Sequence, residues 1–88
     1  MLVRYFWIDR QNREHGCYQC DMQDFRSWLS HMTTKSIMYV VVEVPELLAI
    51  NYYFGMPNDI TNRLVWQQVQ GERAQQFFSN KFLKSISH

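Results

Sequence analysis

The residue types able to do chemistry gather in one stretch, His15-Gly16-Cys17-Tyr18-Gln19-Cys20. A Cys-x-x-Cys pair can chelate zinc or run thiol–disulfide exchange. Structural zinc needs four ligands, and the chain has no second cysteine pair. Only His31 and His88 could be added, at a spacing that resembles no zinc module. Thiol-exchange motifs sit at a helix N-terminus, where the dipole lowers the thiol pKa. Here the helix-start signal, Asp21, follows the second cysteine. If residues 17–20 form a strand, side chains three apart point to opposite faces and the two sulfurs diverge. The expectation is a buried Cys20 and a partly exposed Cys17, with a CxxC thiol or zinc protein as an alternative.

A Cys–His nucleophilic site would require Cys17 or Cys20 beside His31, oriented by Asp24. The position of His31 in the last turn of a helix accounts for it without catalysis. Three glycines form no phosphate loop, and no Gly-x-Ser-x-Gly or His-Glu-x-x-His is present. Glu43 and Glu46 flank Pro45 at a strand end and do not form a paired acid and base. The expectation is a non-enzyme with no metal or cofactor.

The elements that would position these residues follow from periodicity. Residues 2–9 (LVRYFWID) are aromatic and β-branched and read as a strand, with a polar tip and a second strand at about 17–20 completing a hairpin. Asp21 is placed to N-cap a helix over about 22–32, whose stripe is Met22, Phe25, Trp28, Leu29 and Met32. Ile37 to Val44 is a near-continuous β-branched run suited to a central strand. Pro45 should stop it. Residues 46–54 fit a short helix better than a strand, and residues 55–58 a turn. Asn58 or Asp59 should then cap a long helical segment to about Lys84, with Ile60, Leu64, Ala74, Phe78 and Phe82 on one face and Gly71 as a close-packing point or a break. The expected fold is α+β: a ββαβ core with one or two C-terminal helices, in a single domain over residues 1–88.

Eighty-eight residues support one domain and not two. The chain is 47% hydrophobic and 19% charged, the balance of a folding chain. Fourteen rings (three Trp, five Tyr, six Phe) exceed what so small an interior holds, so some should reach the surface. Net charge is +1, with an acidic middle and a basic last part. No signal peptide or membrane-length apolar run is visible, and two cysteines make no disulfide scaffold. A cytoplasmic location with reduced thiols is expected.

Strand alternation puts Leu2, Arg4, Phe6 and Ile8 on one side of the first strand and Val3, Tyr5 and Trp7 on the other. If a helix covers the Phe6/Ile8 side, Tyr5 and Trp7 are left open as an interface, joined by Tyr52 and Tyr53. The expected function is a small protein-interaction module that regulates or inhibits a larger protein or nucleoprotein by occlusion, a character common among proteins of phages and mobile elements. Its partner would be a protein, or a second copy in a homodimer. The alternative is a nucleic-acid-binding regulator using Arg63, Arg73, Lys81 and Lys84.

Overall fold

The computed structural model describes residues 1–46 and 49–69, and the backbone alone of Glu46. Its order is β1 (Leu2–Asp9), β2 (Glu14–Asp21), α1 (Met22–His31), β3 (Ile37–Glu46), β4 (Ala49–Asn58) and β5 (Arg63–Val69). The strands form one antiparallel sheet in the order β2-β1-β3-β4-β5. The chain is thus a small α+β domain in which, among the described residues, one helix packs on a five-stranded sheet.

Local chemistry explains the N-terminal half. Asp21 caps α1 by accepting from the Gln23 N–H at 3.0 Å, with Asp24 in the positive first turn and His31 in the last. The β-branched run of β3 takes the middle of the sheet, where Val40, Val41, Val42 and Val44 are buried. Across β1 and β2 the register slips between Tyr5/Tyr18 and Trp7/His15. This bulge is built at Gly16, which has φ 129° and would place a Cβ 2.7 Å from that of Phe6.

Three expectations fail in the C-terminal half. Residues 49–58 are a strand, not the second half of a helix and a turn, and Gly55 and Pro57 lie inside it. Pairing along β3, from Val40/Gly55 to Glu46/Ala49, overrides the helical propensity of the Glu-Leu-Leu-Ala start. Pro45 does not end β3. It lies beyond Glu43, the last β3 residue paired with β1, so β3 is already an edge on that side and tolerates a missing N–H. Residues 63–69 are β5 rather than helix. Asn58 does act as a cap, but of a turn: its side chain accepts from Ile60 and Thr61 N–H at 2.9 and 3.3 Å, and Asn62 takes φ 56°. The expected helical stretch from Gln70 to Lys84, with Gly71, lies outside the described residues.

The alternation within β1 is as expected, but the helix is on the other side. Val3, Tyr5, Val40, Val42, Val44 and Phe25 form one buried cluster, completed by Trp7, Trp28 and Leu29. Phe6, Val41 and Tyr52 form a second cluster on the opposite face, with Tyr39, Phe54 and Cys17. Alternation sorts side chains into two faces, yet says nothing about which face receives the helix.

Candidate interaction surface

The exposure expected at Tyr5 is therefore corrected, while Trp7 keeps part of its surface in solvent. Tyr5 is 6% exposed. Its ring packs between Tyr18, Phe25 and Trp28, at centroid distances of 5.3, 4.8 and 4.7 Å. Burial first, then the neighbouring Cys20 and Tyr18, pushes its hydroxyl pKa up to about 12. Trp7 is half-buried, stacked on His15 at 4.1 Å and packed against Trp28. Tyr52 is 2% exposed, in the opposite cluster. Of the four expected interface residues, Tyr53 lines a groove.

That surface follows from the widths of the two layers. Five strands spaced about 4.8 Å apart put the outer strand axes roughly 20 Å from one another, and a helix is about 10 Å across. One helix covers about half such a sheet. α1 packs over β1 and β2, and beside it a groove of about 400 Å³ opens over β3, β4 and β5. Met22, Phe25 and Leu29 of α1 form one wall. Val42, Val44, Tyr53 and Trp66 line the sheet side, and Arg26 stands at the rim. Trp66 is 39% exposed and meets Phe25 edge-on at 6.4 Å. Sequence reasoning did not single out Trp66, because residues 60–84 are expected there as helix. Strand alternation across Leu64-Val65-Trp66 was the signal that could have found it.

The chemistry-bearing residues are separated or consumed by structure. Cys20 packs in the cluster under α1 and Cys17 in the cluster on the opposite face, so the sheet lies between the two thiols. Burial raises the pKa of both, the reverse of an activated thiolate. Among the described residues no three His, Cys, Asp or Glu side chains converge on a metal-sized site. Glu43 is held by Arg4 in a two-pronged ion pair across β1 and β3, Nε to Oε1 at 2.9 Å and Nη2 to Oε2 at 2.8 Å.

Asp9 organises the β1–β2 turn. Its Oδ1 accepts from the Gln11 and Arg13 N–H groups, and its Oδ2 meets the Arg13 guanidinium at 2.8 Å and His15 Nε2 at 2.9 Å. Burial alone would raise its pKa; hydrogen bonds from His15 and Arg13, with the charge of Arg13, outweigh that and hold it at about 2. The bulge at Gly16 is what turns His15 toward Trp7 and Asp9. This constellation orders a turn.

Of the basic residues in the nucleic-acid alternative, Arg63 begins β5 and is exposed. Arg73, Lys81 and Lys84 lie outside the described residues. No described helix is long and apolar enough to cross a membrane. No protein-family model matches the chain, and no curated protein or solved structure matches it significantly.

Proposed function

We propose that this chain is a non-catalytic protein-binding module, and that it acts by receiving an apolar helix of a larger protein in the groove beside α1. The groove beside α1, lined among the described residues by Tyr53 and Trp66, carries this reading. A second helix would complete the layer that α1 begins, burying Tyr53 and Trp66 against apolar side chains spaced i, i+3/i+4 and i+7. The volume is also in the range that holds a partner's anchor residue or a small ligand. Arg26 at the rim favours a helix with an acidic residue beside its apolar stripe. Regulation by occlusion suits a module with no chemistry of its own.

A helical peptide library selected against the immobilised protein tests this. Recovered sequences should share the helical apolar spacing, and their binding should fall at least about tenfold, or about 1.4 kcal/mol, with Tyr53→Ala or Arg26→Glu. Peptides with no such spacing, or binding that ignores both substitutions, would refute the groove.

A further inference from the structure

The sheet face opposite α1 is dry at its centre. Phe6 is 1% exposed, Val41 0% and Tyr52 2%, in the cluster on the side away from the helix. Glu43, on the same face and paired with Arg4, is 4% exposed. Neighbours within one sheet flank such side chains without capping them, so a face this dry carries a second layer. Among the described residues no helix or strand supplies it: α1 lies on the other face, and all five strands are in the sheet. The described turns close the strand ends near Asp9 and Asn58, whereas Glu43 and Tyr52 lie toward the opposite end. There, two residues join Glu46 to Ala49 and span at most about 7 Å. Val41 is five residue pairs from that tip, or about 17 Å.

We propose that residues 70–84 of this chain form that layer, with Phe78 and Phe82 seated over Phe6, Val41 and Tyr52. The burial belongs to a single chain, so neither a second copy nor a foreign partner accounts for it. Val69, the last residue of β5, pairs with Tyr52 and packs on the cluster, so residue 70 starts at the margin of the dry patch. Beyond it the sequence carries Ala74, Phe78 and Phe82 at steps of four, the stripe that lays a helix on a sheet. Fifteen residues in a helix run about 22 Å, enough to cross the roughly 14 Å from β5 to β1. The layer has a limit: Met56 and Val65, on the same face toward Asn58, are 53% and 56% exposed. This inference concerns the face opposite the groove and stands whether or not the groove binds a helix.

Nuclear Overhauser contacts in the full chain test it, with valine methyls and phenylalanine rings labelled. The Phe78 and Phe82 rings should contact the Val41 methyls, and not those of Val40 or Val42 on the α1 side. Contacts to Val42 in place of Val41, contacts only between differently labelled copies, or no contact to Val41 would overturn the proposal. Phe78→Asp gives a second reading through the cysteines, since Cys17 packs in the covered cluster and Cys20 under α1. Alkylation of Cys17 should quicken at least about tenfold while Cys20 keeps its rate. An unchanged Cys17 rate overturns the proposal. If the variant unfolds and both thiols react, the methyl contacts of the wild type decide.

Discussion

Trp66 lies flat on Gly55, its cross-strand partner. A Cβ built at Gly55 would sit 2.8 Å from Cζ3 of the indole and 3.0 Å from Cε3 and Cη2. The missing side chain of one strand is thus replaced by the ring of the next, and that ring forms part of the groove floor. Gly55→Ala should push the indole outward. Because Trp66 is partly exposed, it can move without disturbing the core, so stability should change by less than about 1 kcal/mol. Tryptophan emission should shift to the red and binding of groove-selected peptides should weaken. An unchanged spectrum would show that the ring does not rest on Gly55.

Tyr5 belongs to the core rather than the surface. Its truncation to Ala removes a ring packed by three others and should cost about 3–5 kcal/mol, much of the 5–15 kcal/mol typical of a small domain. Urea denaturation should show a large loss of midpoint, and Tyr5→Ala with Trp7→Ala should leave the chain unfolded. A well-folded double variant would return these rings to the surface.

Asp9 makes the β1–β2 turn sensitive to acid. Its folded pKa, about 2, is below the ordinary value of 3.8. The stability it contributes is complete above about pH 4 and is lost as pH falls toward 2, because the unfolded chain takes up the proton first. Asp9→Asn should lower stability at neutral pH and flatten the loss between pH 4 and 2, as read by thermal unfolding across that range. An equal loss in variant and wild type would assign the acid sensitivity to other carboxylates.

The two cysteines should behave as packed thiols. Burial raises both pKa values, so the rate of alkylation should climb only at a pH above that of a free thiol. Mild oxidation should yield no intramolecular disulfide, since the sheet lies between Cys17 and Cys20. A rapid Cys17–Cys20 disulfide would contradict the placement.

How much of this was legible in the sequence depended on the range of the cause. The cap at Asp21, the α1 stripe and the central run of β3 are set by neighbours a few residues away, and each was readable. β4 and β5 were not, because their state is decided by pairing with strands already in the sheet. Residues 46–49 favour helix locally, and Asn58 carries the same capping oxygen whether a helix or a turn follows. The site was missed for a related reason. Alternation in β1 separates Phe6 from Tyr5 correctly, but the face that α1 covers is settled by how Phe25 and Trp28 pack around Tyr5. Once that face is known, the open half of the sheet and its Tyr53 and Trp66 follow.

The groove is tested most directly by nuclear magnetic resonance titration of the full chain with a helix-forming peptide carrying an apolar stripe and an acidic flank. The account predicts saturable shifts in the Met22 methyl, the Leu29 methyls, the Tyr53 ring and the Trp66 indole, with Tyr18 and the Trp7 indole at the far side of α1 unmoved. Shifts centred on Trp7 and Tyr18, with Trp66 unaffected, would contradict it.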